Sequence, residues 1–283
     1  MKIKQLVPVV LSLLFSLTIY SQSKLSNQAG SLFIIGGGDR PPELIQSLLS
    51  TAKLDKTDYI VILPMSSAEP DSSYYYIKQD LGQFTLNSIV NLNFTKNKVN
   101  NSKWLDSLKY AKLIFITGGD QSRFMNVVLN TPVIEAIHYA YNNGSTIAGT
   151  SAGAAVMSKL MITGNQLAGD SLNSGAFKII HINNLELKEG LGLLTTAIID
   201  QHFIVRSRFN RLITALAMFP KYSCIGIDEA TAIIVQGKRV TVVGESQVVV
   251  LSDPKNLSVK KKLIKMEEVR FSIYTAGDTF RIK

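Results

Sequence analysis

A serine in a tight, glycine-flanked turn is the first feature of the sequence that could carry out chemistry. Ser151 stands in the segment Gly149-Thr-Ser-Ala-Gly153, which fits the G-x-S-x-G pattern of a nucleophile elbow. A strand is predicted before it, over 145–148, and a small-residue helix after it, over 152–160. Such a turn holds the hydroxyl at a strand end, where the Ala152 N–H can stabilise an oxyanion. Glycine-rich turns that only pack share this pattern, so the assignment needs partner residues.

A nucleophilic serine needs a base, and the chain has three histidines. His138 lies among apolar residues of a predicted helix and is interpreted as structural. His202 follows the apolar segment 197–199, and His181 follows the strand-like segment 177–180. Strand ends gather at one edge of an open α/β sheet, where ligands bind. We therefore favour His202 as the base, although the sequence does not exclude His181.

The acid that would orient the imidazole has two adjacent candidates. Asp228 and Glu229 follow the apolar strand predicted at 225–227, and strand alternation sends neighbouring side chains to opposite faces. The residues alone do not decide between them. The chain order serine, histidine, acid differs from the serine, acid, histidine order of the α/β-hydrolases. The sequence therefore predicts a serine triad on a different fold.

Alternating strands and helices must position these residues. Strands are predicted at 32–35, 59–63, 89–94, 113–117 and 145–148, and helices at 41–53, 72–84, 103–110, 121–129 and 132–142. Continuous apolar strands separated by helices predict a doubly wound, mostly parallel α/β sheet covered on both faces. Glycine-containing turns separate three later β segments, which predicts C-terminal antiparallel hairpins that finish the sheet, at 230–235, 239–243 and 247–251. A single domain over residues 30–283 accounts for this pattern.

The amino terminus has the three-part layout of a secretory signal peptide. Lys2 and Lys4 precede the apolar segment Leu6–Tyr20, and the small polar residues Ser21–Ser23 follow it. We expect a signal peptide at 1–23 and a secreted or periplasmic protein. The alternative is a retained membrane anchor, because the apolar segment is only slightly shorter than the roughly 20 residues of a spanning helix.

Composition limits the remaining function classes. The chain is 46% hydrophobic and 18% charged, as in ordinary globular proteins. Removal of Lys2 and Lys4 lowers the formal charge from +9 to +7, because 9 − 2 = 7. Basic residues are scattered except at Lys260–Lys262, so no nucleic-acid partner is predicted. Cys224 is the single cysteine; it is interpreted as a buried strand residue and cannot form an intramolecular disulfide.

Several spaced motifs together resemble one family, the cyanophycinase and aspartyl-dipeptidase serine peptidases. They follow the family's order over roughly residues 30–252: Gly36–Gly38, Thr117-Gly-Gly-Asp-Gln121, Gly149-Thr-Ser-Ala-Gly-Ala154, Asp200-Gln-His-Phe203 with Arg206, Arg208 and Arg211, and Gly226-Ile-Asp-Glu-Ala-Thr231. The Asp-Gln-His-Phe segment and the Gly-Ile-Asp-Glu ending are nearer to the cyanophycinase branch. The combination is far more specific than any single motif.

The resemblance implies a mechanism and a substrate. Ser151 would be the nucleophile, His202 the base and Glu229 the acid, on a flavodoxin-like sheet similar to class I glutamine amidotransferase domains. The implied substrate is cyanophycin, an aspartate backbone carrying arginines in isopeptide linkage, which exopeptidases of this kind trim to β-Asp-Arg dipeptides. No metal or other cofactor is implied, and a homodimer is left open. Backbone N–H groups of Ala152 and of Gly118 or Gly119 would hold the oxyanion.

Substrate-binding side chains are expected within the same motifs. Guanidinium groups suit aspartyl carboxylates. If the segment after His202 is helical, Arg208 and Arg211 share a face and Arg206 points elsewhere; the alternative for each arginine is a solvated surface position. The further candidates, for the substrate's amine or guanidinium, are Asp120, Gln121, Asp200 and Gln201, with a helix cap as the alternative for Asp120. Weaker site candidates, which would otherwise form only a turn, are Ser66, Ser67 and Glu69.

Two departures from the family pattern and three rival functions remain. Arg40 stands where relatives commonly carry an acidic residue, which is expected to alter one subsite. The signal-like start differs from the intracellular members.

The main alternative function is that of a secreted dipeptidase for aspartyl or isoaspartyl peptides. A peptide-binding protein without activity would not need all three triad residues, and a nucleotide-binding protein would need a G-x-G-x-x-G spacing that Gly36–Gly38 lacks.

Overall fold

The computed structural model describes residues 29–167 and 179–283. The strands are β1 Leu32–Ile35, β2 Tyr59–Leu63, β3 Ser88–Asn91, β4 Leu113–Ile116, β5 Thr146–Thr150, β6 Leu160–Gln166, β7 Leu185–Glu189, β8 Ala197–Gln201, β9 Ser223–Ile227, β10 Thr231–Gln236, β11 Arg239–Gly244, β12 Val248–Ser252, β13 Lys255–Lys260, β14 Leu263–Glu267, β15 Arg270–Tyr274 and β16 Thr279–Arg281. The helices are α1 Pro42–Ala52, α2 Pro70–Gly82, α3 Ser102–Lys109, α4 Gln121–Val128, α5 Pro132–Asn142, α6 Ala152–Ala155 and α7 Phe209–Met218. The predicted signal peptide at 1–23 lies outside the described residues.

The main sheet has eight strands in the order β16-β11-β10-β1-β5-β4-β2-β3. Its β1, β5, β4, β2 and β3 are mutually parallel, and β10, β11 and β16 add an antiparallel edge. The predicted α/β class, with a mostly parallel sheet and C-terminal antiparallel hairpins, is confirmed.

Helices cover both faces of this sheet, because alternate strand residues point in opposite directions. In β1, Leu32 and Ile34 pack in a core layer with residues of α4 and α5. Phe33 and Ile35 pack in the opposite layer with residues of α1 and α2. Both faces of the central strands are buried, which explains their continuous apolar sequences.

A second sheet carries two of the predicted triad positions. It has the order β15-β12-β9-β8, in which β8 and β9 are parallel and β12 and β15 are antiparallel additions. Helix α7 packs on it through Leu212, Ala215 and Leu216. The prediction that 247–251 finishes the main sheet is therefore wrong, because β12 pairs with β9 instead.

Two local predictions also differ from the structure. The helix after Ser151 covers only Ala152–Ala155, and the predicted helical segment to residue 160 gives way to β6. The β-branched residues Ile162 and Thr163 favour an extended chain, and β6 pairs with β7. The strands after β12 were not predicted; β13 and β14 are largely exposed and rich in charged residues. None of the described helices combines the length and apolar character needed to cross a membrane.

Candidate active site

The turn after β5 holds Ser151 in a conformation that few non-glycine residues adopt. Its φ is 53° and its ψ is −109°, a strained geometry of the kind that costs about 1–3 kcal/mol and is common at catalytic sites. A hydrogen bond from the Ser151 N–H to the Ile35 carbonyl, at 3.1 Å, ties this turn to the end of β1. A Cβ at Gly149 would lie 2.3 Å from the Gly153 carbonyl oxygen, so the tight turn requires glycine there. The predicted elbow geometry is therefore present.

The imidazole of His202 lies between a hydroxyl and a carboxylate. The Ser151 Oγ is 2.8 Å from His202 Nε2. On the other side of the ring, His202 Nδ1 is 2.5 Å from Glu229 Oε1. The structure thus brings together three residues that are far apart in the sequence. With Nδ1 donating to Glu229, Nε2 is left to accept the serine proton.

The two adjacent carboxylates have separate partners. Glu229 contacts the imidazole, whereas Asp228 Oδ1 accepts hydrogen bonds from the N–H groups of Ile204 and Val205, each at 3.0 Å. The Ser246 hydroxyl donates to Asp228 Oδ2 at 2.7 Å. Asp228 therefore stabilises the turn that follows His202, while Glu229 accepts the hydrogen bond from the imidazole.

The loop after β1 supports the imidazole and the carboxylate. The His202 N–H donates to the Gly36 carbonyl at 2.8 Å, and the Ala230 N–H donates to the Gly37 carbonyl at 2.9 Å. A Cβ at Gly37 would lie 2.3 Å from His202 Cε1, and one at Gly38 would lie 2.7 Å from Glu229 Cβ. The glycine motif after β1 therefore leaves room for the histidine and the glutamate.

Burial and charge act together on the imidazole. Desolvation lowers the pKa of His202 below its ordinary value, and the hydrogen bond that Nδ1 donates to Glu229 opposes this shift. The nearby positive charges of Arg206 and Arg208 lower the same pKa further. The neutral imidazole, which is the form that can accept a proton, is therefore favoured near neutral pH.

Three backbone N–H groups were predicted as oxyanion donors. Gly118 lies against Ser151, since a Cβ built on it would be 3.5 Å from the serine Cβ. Ala152 begins α6 directly after the serine. Within the described chain, the N–H groups of Gly118, Gly119 and Ala152 donate to no protein acceptor. Their role in holding an oxyanion stays a prediction.

The predicted arginine-rich motif forms a buried network beside the triad. Arg211 pairs with both carboxylate oxygens of Asp200, through Nε at 2.6 Å and through Nη2. Arg208 Nη1 donates to the Gln201 carbonyl at 2.6 Å and to its Oε1 at 3.0 Å. Burial lowers the pKa of Arg208 to about 10, with the Arg211 charge as the next cause. Arg206 lies apart on an exposed turn.

This network bears on four of the substrate-binding predictions. Arg208 and Arg211 share the carboxylate of Asp200, so the cluster has an excess positive charge. The Arg208 Nε has no partner among the described residues. Asp200 is fully buried and bonded to Arg211 and to the Gln201 N–H. A direct contact of Arg208, Arg211, Asp200 or Gln201 with substrate stays a prediction.

Most of the remaining predicted positions have partners within the protein, whereas the buried Ser66 hydroxyl has none among the described residues. Asp120 caps α4 through the N–H groups of Ser122 and Arg123, as its alternative role required. The Gln121 amide donates to the carbonyls of Ile162 and Thr163, at 2.9 and 2.7 Å. The Glu69 N–H donates to the Ser67 hydroxyl.

The other two histidines and the cysteine lie elsewhere. His138 Nε2 lies 2.6 Å from the Leu191 carbonyl, and His181 forms an isolated β-bridge with Leu263. Cys224 is buried, and burial raises the pKa of its thiol.

A pocket of about 250 Å³ opens directly beside the serine. Besides Ser151 and His202, its lining includes Arg40, Ser73 and Tyr76. The sequence analysis placed Arg40 near a subsite but missed the two residues of α2. The sequence offered one indication of Ser73 and Tyr76, which was their position. Helix α2 begins shortly after the carboxyl end of β2, and such strand ends border the site.

Comparison with known proteins identifies relatives over most of the chain. The model of Peptidase family S51 matches residues 32–243. A cyanophycinase of Trichormus variabilis is 32% identical over 268 residues, covering 89% of this chain and 85% of that protein. A cyanophycinase of Geminocystis herdmanii is 32% identical over 230 residues, covering 78% of this chain and 80% of that protein.

Solved structures share the fold. A peptidase from an acI-B1 actinobacterium superposes with a TM-score of 0.66 at 22% identity, covering 90% of this chain and 98% of that chain. A putative peptidase E protein from Listeria monocytogenes superposes with a TM-score of 0.52 at 17% identity, covering 77% and 100%. At these identities the likeness supports the fold alone.

Proposed function

Since this chain belongs to peptidase family S51, we propose that it is an exported serine exopeptidase that hydrolyses cyanophycin to β-Asp-Arg dipeptides. The observation that carries the proposal is the continuous contact from Ser151 Oγ through the His202 imidazole to Glu229, with distances of 2.8 and 2.5 Å. Two cyanophycinases at 32% identity support the choice of substrate.

The acylation step follows from the placement of the imidazole. His202 Nε2 accepts the Ser151 proton while Oγ attacks the peptide carbonyl carbon, and Glu229 stabilises the resulting imidazolium. The N–H groups of Ala152 and Gly118 donate to the oxyanion. When the C–N bond breaks, His202 returns its proton to the leaving amine and Ser151 keeps the acyl group.

Deacylation repeats the same proton transfers with water. His202 Nε2 accepts a proton from water as the oxygen attacks the ester carbonyl, and it then returns the proton to Ser151 Oγ. The depressed pKa of His202 keeps the base neutral between turnovers. Every step uses side chains and backbone groups near the end of β5.

Export is proposed from the sequence of residues 1–23. The described chain enters the main sheet at the start of β1, and Ser151 lies at the other end of the parallel strands. Before β1 begins, the Gly30 N–H donates to the Tyr141 carbonyl at 2.7 Å. The intact mass of the exported protein distinguishes cleavage near residue 23 from retention.

Product analysis tests the proposed activity. The exported protein is incubated with purified cyanophycin, and products are identified by mass spectrometry; β-Asp-Arg is expected, and none is expected from the Ser151→Ala variant. Hydrolysis of isoaspartyl dipeptides without attack on the polymer would favour the dipeptidase alternative. Activity that survives Ser151→Ala would refute the nucleophile assignment.

A further inference from the structure

The pocket beside Ser151 has the chemistry of an anion site. One cationic side chain, Arg40, lines it together with the hydroxyl groups of Ser73 and Tyr76. No carboxylate belongs to its lining within the part of the chain that the structure describes. All three named side chains can donate hydrogen bonds, and the guanidinium donates without accepting.

The Arg40 guanidinium is held in place from one side. Its Nε donates to Asp80 Oδ2 of α2 at 2.7 Å, and its Nη1 lies 3.4 Å from the Gly38 carbonyl. The described residues provide no partner for Nη2. A guanidinium fixed at Nε retains donors on its other edge, and those donors match the two oxygens of a carboxylate.

Its location distinguishes this arginine from the buried network. Arg208 and Arg211 are bonded to Asp200 and Gln201, whereas Arg40 is partly exposed in the lining of the Ser151 pocket. A group bound there lies next to the scissile bond. Asp80 fixes the orientation of the guanidinium and is not among the residues that line the pocket.

We propose that this pocket is a carboxylate-binding subsite in which Arg40 selects a free carboxylate of the peptide substrate adjacent to the bond that Ser151 attacks. The inference rests on the proposed peptidase function. It makes Arg40 a specificity-determining residue, with Ser73 and Tyr76 as supporting donors. The substrate class is an aspartyl peptide with an ionised carboxylate near the cleavage point.

Binding to protein that cannot turn over tests the subsite. The probes are β-Asp-Arg and the same dipeptide with its carboxylates converted to carboxamides, titrated calorimetrically into the exported Ser151→Ala protein. We expect the carboxylate form to bind about tenfold or more tightly, as for a charge-assisted hydrogen bond. Adding Arg40→Gln should remove most of this difference, and adding Arg40→Lys should restore part of it.

A matched control comes from a second arginine–aspartate pair. Arg270 lies 3.9 Å from Asp253 on an exposed strand, far along the chain from the pocket. Arg270→Gln removes the same charge and should leave the preference for carboxylate unchanged. If Arg40→Gln and Arg270→Gln have equal effects on the two probes, or if the parent protein does not distinguish them, the subsite is refuted.

Turnover separates this proposal from the proposed function. On oligomers whose carboxylates are all free or all amidated, Arg40→Gln should raise KM about tenfold for the free form and leave kcat and the amidated substrate nearly unchanged. Equal losses on both substrates would mean that Arg40 only ties the β1 loop to α2, which overturns the inference. If the wild-type protein cleaves neither substrate, the proposed function fails, and the binding titration still decides the subsite.

Discussion

Replacing Glu229 with glutamine tests the triad at the position that the sequence left ambiguous. The carboxylate accepts from His202 Nδ1 at 2.5 Å. A glutamine of the same shape removes the charge, and its amide group can donate to Nδ1. That hydrogen bond favours the tautomer with the proton on Nε2, which cannot accept a proton from Ser151.

The expected loss follows from two contributions. A hydrogen bond to a charged group is worth about 1.5–3 kcal/mol, which corresponds to roughly 10–150-fold in rate. The unfavourable tautomer raises the loss toward the roughly 10⁴-fold known for triads with a buried acid. Because the Glu229 side chain is 35% exposed, solvent screens its charge. We therefore expect kcat to fall by about 10²–10³-fold.

The assay compares two adjacent carboxylates. The kcat of Glu229→Gln is measured from dipeptide release and set against that of Asp228→Asn, with thermal unfolding as a check on both. Asparagine at 228 can still accept from the Ile204 and Val205 N–H groups, so its kcat should fall less than tenfold. An equal or larger loss in Asp228→Asn, or less than a tenfold loss in Glu229→Gln, would refute the assignment of the acid.

Three further perturbations address the base, its surroundings and the buried network. Because the pKa of His202 is depressed, kcat/KM should be lost only as the pH falls through a value below the ordinary imidazole pKa of about 6.5. Arg206→Gln removes a positive charge that lowers this pKa, so it should move the midpoint of the pH profile to higher pH. A shift of the midpoint to lower pH would contradict the charge effect. Gly37→Ala places a Cβ 2.3 Å from His202 Cε1 and should lower kcat about 100-fold in a folded protein, as measured by kinetics with circular dichroism; unchanged kcat would show that the contact can relax. Asp200→Asn leaves Arg211 buried without its carboxylate and should lower the free energy of unfolding by about 3–5 kcal/mol in urea titrations; an unchanged midpoint would mean that this pair is not structural.

Local patterns were sufficient for much of the fold. The bounds predicted for β2 and α5 agree with the structure, because each is a continuous apolar or amphipathic segment with proline or glycine signals nearby. The helix predicted over 152–160 failed after residue 155, where pairing with β7 outweighs helical propensity. The assignment of 247–251 to the main sheet failed because strand partners depend on non-local contacts.

The sequence by itself predicted which residue types make up the candidate site. The glycine-flanked Ser151, a histidine after one apolar strand and a carboxylate pair after another are readable from residue types and spacing. Steric requirements at the turn are local, so the elbow could be inferred without knowing which strands pair.

The residues alone left the choice between Asp228 and Glu229 open, and the family resemblance implied Glu229. The tertiary structure shows that Glu229 faces the imidazole, and only the tertiary structure shows where the arginines lie. Asp228 and Glu229 are neighbours in sequence, and their separation into a turn acceptor and an imidazole partner depends on how β8, β9 and the β1 loop meet. The position of Arg40 in the Ser151 pocket likewise depends on α2, which supplies Asp80 from forty residues away. Such contacts join distant parts of the chain, and no local pattern encodes them.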